Sequence, residues 1–86
     1  MKLNSNFIVH QTNDEYYVIT TGGTDFNGIV KNNATSDFIC RCLQEETTEE
    51  AIIKKMLETY DAERSVIERD VKMVLDKLRG IGAIDE

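Results

Sequence analysis

From Glu63 to Gly80 the apolar positions fall at Ile67, Val71, Val74, Leu75 and Leu78, the i, i+4, i+7, i+8, i+11 spacing of one helical face. The pattern predicts a helix over 64–79, opened by a Ser65–Glu68 capping box or by Glu63 as first cap and stopped by Gly80 and Gly82. Two further apolar residues, Val66 and Met73, lie seven apart on a neighbouring face with Arg69, Asp70 and Lys77. Such a mixed stripe either widens the buried face or serves a partner, and spacing alone leaves both readings open.

Upstream the period is that of strands. Runs over 6–11 (NFIVHQ), 16–21 (YYVITT) and 29–32 (IVKN) carry β-branched and aromatic residues. The first two are separated by the turn cluster Thr12-Asn13-Asp14-Glu15, the second and third by a loop, Gly22–Gly28, that ends in Asn27-Gly28. Three short strands in this order predict an antiparallel meander whose edges must be covered or used.

At Asn33 the period becomes helical. Asn33 is a favourable cap for a helix over 34–44 with Phe38, Ile39, Cys42 and Leu43 on its inner face. A Thr47–Glu50 capping box introduces a helix over 48–60 with Ile52, Ile53, Met56, Leu57 and Tyr60 as its core face. After the third helix, Ile81-Gly82-Ala83-Ile84 should fold back and close the core. The expected fold class is α+β, winged-helix-like: a three-stranded antiparallel sheet followed by three helices, as one domain over 1–86.

Charge and chemistry narrow the function. The net charge of −6 argues against nucleic acid, because phosphate binding needs a basic surface. Five basic residues (Arg64, Arg69, Lys72, Lys77, Arg79) nonetheless gather in the last helix against three acids (Glu68, Asp70, Asp76). That bias suits either an acidic peptide or an ordinary solvated face. No run has the length of a signal peptide or a membrane span, so the expected compartment is the cytoplasm and no membrane partner is expected. Cys40 and Cys42 diverge by about 200° on a helix, which argues against a metal clip or a local disulfide. Cys42 reads as a small core residue and Cys40 as incidental. The lone histidine, His10, has no partner for nucleophilic catalysis, and Gly22, Gly23 and Gly28 match no phosphate-binding loop. Glu45, Glu46, Glu49 and Glu50 bracket a helix start, where the helix dipole accounts for them. The residues therefore argue against an enzyme, and neither a cofactor nor a metal is expected.

Taken together, several stretches resemble the PqqD-like family of peptide-recognition elements. Asn32-Asn33-Ala34-Thr35 resembles the family's turn from third strand to first helix. Thr47–Tyr60 resembles its second helix, and Glu63–Val71, running on to Leu75, Leu78 and Gly82-Ala83-Ile84, resembles its third helix and closing aliphatics. The likeness extends from about Phe7 to Ile84 and rests on hydrophobic patterning. The long Gly22–Gly28 loop and Asn32, where an aliphatic residue is usual, depart from it.

The resemblance implies capture of the leader segment of a ribosomally synthesised precursor peptide. It also implies presentation of that peptide to a maturation enzyme such as a radical SAM protein or a leader peptidase, as in pyrroloquinoline quinone and lasso-peptide biosynthesis. In that reading the leader adds as a strand beside Ile29, Val30, Lys31 and Asn32. Val66 and Met73 then line an apolar floor, with Arg69, Asp70 and Lys77 at its rim. The alternative from another class is a winged-helix DNA-binding regulator, with Arg69, Lys72 and Arg79 on DNA.

Overall fold

The structure, a computed structural model, describes residues 1–13, 15–20 and 29–86, and for Val30 the backbone alone. The expected Gly22–Gly28 loop with its Asn27-Gly28 pair, Asp14 of the first turn, and Thr21 at the end of the second predicted strand lie outside the described residues. The elements run β1 (Lys2–Leu3), β2 (Phe7–Thr12), β3 (Glu15–Thr20), β4 (Ile29–Asn32), α1 (Ala34–Cys42), α2 (Glu49–Thr59), α3 (Arg64–Gly80) and β5 (Ile84–Asp85). This is an α+β fold in which an antiparallel sheet, ordered β2-β3-β4, precedes three helices. Among the described residues no helix is long and apolar enough to cross a membrane.

The β2–β3 hairpin closes with Thr12 opposite Glu15. Asn13 takes φ 50° there, a left-handed conformation that Asn tolerates better than most residues. The register places Val9 opposite Val18, and Val18 opposite Val30. Strand alternation then puts Phe7, Val9 and Val18 on one face, of which Phe7 and Val18 are buried in the common core. The opposite face carries the cross-strand row Ile8, Ile19 and Ile29, followed by His10, Tyr17 and Lys31.

Helix starts differ from expectation in their details. Asn33 caps α1 as its sequence suggests, accepting the Ser36 amide at 2.8 Å. The Thr47–Glu50 box does not form: Thr48 takes the cap, accepting the Ala51 amide at 3.1 Å, and Glu50 reaches across to Arg64 at 2.6 Å. Helix α3 begins at Arg64, so Ser65 lies inside the first turn and Glu68 pairs with Arg64 at 3.3 Å instead of closing a box. Glu63 is its cap residue, without a side-chain bond.

The α3 stripe packs as its periodicity predicts, with Ile67, Val71, Leu75 and Leu78 buried and Val74 half-buried. In α2, Ile52, Ile53 and Met56 are buried, but Tyr60 at the C-cap is exposed and meets Phe38 edge-on at 5.5 Å. The inner face of α1 is turned toward Asp37 and Cys40. Cys40 is fully buried, Cys42 only half-buried, the reverse of the sequence reading. Ile39 and Leu43, both fully buried, set the rotation of α1, and Cys40 falls beside them on the inward side while Cys42 does not. The Asn32 side-chain amide donates to the Cys40 sulfur at 3.7 Å. Buried Asp37 accepts from Arg41 Nε at 2.6 Å.

Burial pushes the Cys40 thiol up to about 11. Because the thiolate is the reactive form, Cys42 should label first with a maleimide near about pH 8, and Cys40 only after denaturant is added. Mass mapping of the labelled cysteine checks this, and prompt labelling of Cys40 in the native protein would contradict its place in the core.

The closing aliphatics do fold back. Gly82 adopts φ 75°, the left-handed turn that ends many helices. Ala83 is fully buried, and its amide donates to the Leu78 carbonyl at 2.9 Å. Ile84 then pairs with Leu3 in a two-stranded β1–β5 ribbon that the sequence reading lacked. Leu3 also donates from its amide to the Leu43 carbonyl at 2.8 Å, and Asn4 to the Ala83 carbonyl at 2.7 Å, so the two ends of the chain are tied to the same core.

Candidate functional site

Two strands of the three-stranded sheet, β2 and β4, have a neighbour on one side only among the described residues. An edge of this kind presents backbone N–H and C=O groups that another strand can satisfy. The two edges have different surroundings. The far end of β2 lies near α1, where Arg41 Nη2 reaches the Gln11 side-chain oxygen at 3.4 Å. The β4 edge runs directly through Asn32 into Asn33 and the first turn of α1.

There the surface dips. Asn33, Thr35 and Ser36 from the start of α1, and Asp70, Met73 and Val74 from α3, line a depression of about 140 Å³. The Asn33 cap holds the first turn of α1 in place, and the buried stripe of α3 fixes the rotation of that helix. With Ile67, Val71, Leu75 and Leu78 turned inward, Val66 and Met73 point out, 37% and 60% exposed. Neither belongs to the core, so they do not widen the buried face.

Of the residues singled out from sequence, the structure brings Asp70 and Met73 together in the depression. Val66, Arg69 and Lys77 are exposed on the same side of α3 without lining it. Ile29, Lys31 and Asn32 do not line it either; the strand Ile29–Asn32 adjoins it through Asn33. Ile29 and Lys31 point to the sheet face away from α1: Ile29 is 63% exposed, and Lys31 Nζ lies 3.5 Å from Glu15. Glu15 also accepts from the Tyr17 hydroxyl. That bond, helped by Lys31, holds the Glu15 carboxyl below its usual range, while the same bond raises the Tyr17 hydroxyl. Ile29 and Lys31 therefore keep their side chains on the outer face of the sheet, whereas Asn32 turns its side chain to Cys40.

Sequence reasoning missed Asn33, Thr35 and Ser36 as lining residues. Asn33 was legible as a cap, and a cap fixes where the next turn's hydroxyls sit, but nothing local tells that α3 lies opposite them. Arg64 and Arg79, at the two ends of α3, are engaged elsewhere. Arg64 pairs with Glu50 and Glu68, and Arg79 with Asp76 at 3.5 Å and Glu86 at 2.8 Å. The paired carboxylates raise both guanidinium groups above their ordinary values.

The fold has known counterparts. The family model described as coenzyme PQQ synthesis protein D (PqqD) matches residues 9–84. Among solved structures, TbiB1 in complex with the TbiA(beta) leader peptide is similar, with a TM-score of 0.82 at 20% identity, over 99% of this chain and 95% of that one. Lasso peptide synthetase B1, complexed with the leader peptide, is similar with a TM-score of 0.76 at 20% identity, over 95% of this chain and 93% of that one. At this identity the two likenesses are of fold. No curated protein matches the sequence significantly.

Proposed function

We propose a role in peptide capture for this chain, which belongs to the PqqD family of coenzyme PQQ synthesis proteins. It binds the leader segment of a ribosomally synthesised precursor peptide and presents the peptide to a maturation enzyme, a radical SAM protein or a leader peptidase, without performing chemistry itself. One observation carries this reading: a strand edge, Ile29–Asn32, unpaired among the described residues, leads without interruption into a depression lined by Asp70 and Met73 of α3. Main-chain pairing at such an edge supplies affinity, and pockets beside it select side chains. Two solved proteins of the same fold were determined with leader peptides bound, which supports the same role here.

The test is a titration with the two halves of a candidate precursor peptide, sought among the genes neighbouring that of this chain. The N-terminal leader half should bind and the C-terminal core half should not. Binding of the core half alone would defeat the proposal.

A winged-helix contact with DNA would place Arg69, Lys72 and Arg79 on phosphates. Arg79 is held by Asp76 and Glu86, and the chain carries a net charge of −6. Too few cations then remain to neutralise the phosphates a stable complex requires. No mobility shift of random duplex DNA is expected at sub-micromolar protein. A shift that persists above about 150 mM salt would contradict this.

A further inference from the structure

The four arginines of the described residues do not behave alike. Arg41, Arg64 and Arg79 each hold a carboxylate, at 2.6, 2.6 and 2.8 Å respectively. Arg69 holds none among the described residues, and neither does Lys77. The sequence withholds partners from both. On a helix, side chains interact across three or four residues. The positions that far from Arg69 are Ser65, Val66, Lys72 and Met73, and those from Lys77 are Met73, Val74, Gly80 and Ile81. No acid stands among them, in a chain with 16 acidic residues. Lys72 has Glu68 and Asp76 at helical spacing, though in the structure those carboxylates pair with Arg64 and Arg79. It stands off the row of Met73, one residue to its side.

Arg69 and Lys77 flank Met73, four residues to either side, and all three are exposed. Four helical residues rise about 6 Å. Two residues of an extended strand, the repeat on one strand face, span about 6.6 Å. A strand running along α3 can therefore meet Arg69, Met73 and Lys77 with three successive side chains of one face. Asp70, turned toward the start of α1, borders this row on its inner side.

We propose that the segment received by α3 is acidic, with the pattern acid-x-apolar-x-acid. Its carboxylates lie on Arg69 and Lys77, and its apolar side chain lies on Met73. The inference rests on the peptide-capture reading and assigns the chemical class of the peptide. Arg69 gives a planar fork suited to a carboxylate, Lys77 a point charge. In an acidic protein these two cations also steer an acidic segment to this face rather than elsewhere.

Three synthetic peptides of one scaffold test it, bearing Glu-Ser-Leu-Thr-Glu, Gln-Ser-Leu-Thr-Gln or Lys-Ser-Leu-Thr-Lys. Binding is read by fluorescence anisotropy and, in parallel, by backbone amide shifts. The glutamate peptide should bind at least about tenfold tighter than the glutamine peptide near about 50 mM salt, with the advantage shrinking near about 300 mM. The double variant Arg69→Gln/Lys77→Gln should erase the preference, and Arg69→Glu/Lys77→Glu should transfer it to the lysine peptide. Both variants change exposed side chains, and unchanged melting curves verify the fold.

Equal binding of the glutamate and glutamine peptides, no binding of either at about 1 mM, or a preference that survives the double variant would each overturn the inference. The β4 amides separate this from the underlying reading. If Ile29–Asn32 respond equally to both peptides, capture at the edge stands and the acidic pattern falls. If the acidic preference depends on Arg69 and Lys77 while those amides stay silent, strand addition at β4 falls.

Discussion

Leu75→Ala should destabilise the protein by ~2–5 kcal/mol, the range for truncating a buried leucine that its surroundings cannot refill. Leu75 is fully buried in the stripe of α3, within the core shared by Ile39, Ile52, Ile67, Val71 and Ala83. Truncation removes methyl contacts on every side and leaves a cavity between elements already fixed by their caps and by the β1–β5 ribbon. In a chain of 86 residues the loss should lower the melting temperature on the order of 10–25 °C. Thermal melts check this. A variant that melts within a few degrees of the parent would mean that the α3 stripe is not the centre of the core.

The complementary substitution lies two residues away on the other side of the helix. Met73→Glu should leave the melting curve nearly unchanged, since Met73 is 60% exposed and outside the core cluster. Leader binding should nevertheless weaken at least tenfold, about 1.4 kcal/mol. The new carboxylate would stand in the lining of the depression beside Asp70, so like charges would meet where an apolar contact is needed. Peptide titration on the variant measures it. Unchanged affinity would remove Met73 from the binding face and leave its exposure without a role.

The helical elements were legible because their buried faces repeat over several turns. Ile67, Val71, Leu75 and Leu78 supply four concordant positions in α3, and the alternatives for such a pattern are few. The separation of Met73 from that stripe was equally readable, since its angular position follows from the same period. The details that went astray depend on contacts between elements. Cys40 is buried, and not Cys42, because α1 packs with Ile39 and Leu43 inward against the other elements, a rotation its own stripe left open. The box residues Glu50 and Glu68 serve Arg64 across and along the helices rather than their own caps. The β1–β5 ribbon has two residues per strand, too few for any period. For the site, sequence named the edge and the outward face of α3, but not the α1 turn that completes the depression.

The most direct test of peptide capture is an amide-resolved titration of the precursor's leader segment into the labelled protein. Backbone amides of Ile29–Asn32 should shift and gain protection from exchange, as an added strand pairs with β4. Those of Phe7–Gln11, on the opposite edge of the sheet, should stay silent. Silent Ile29–Asn32 amides, with a response confined to Phe7–Gln11, would show that β4 is not the docking edge.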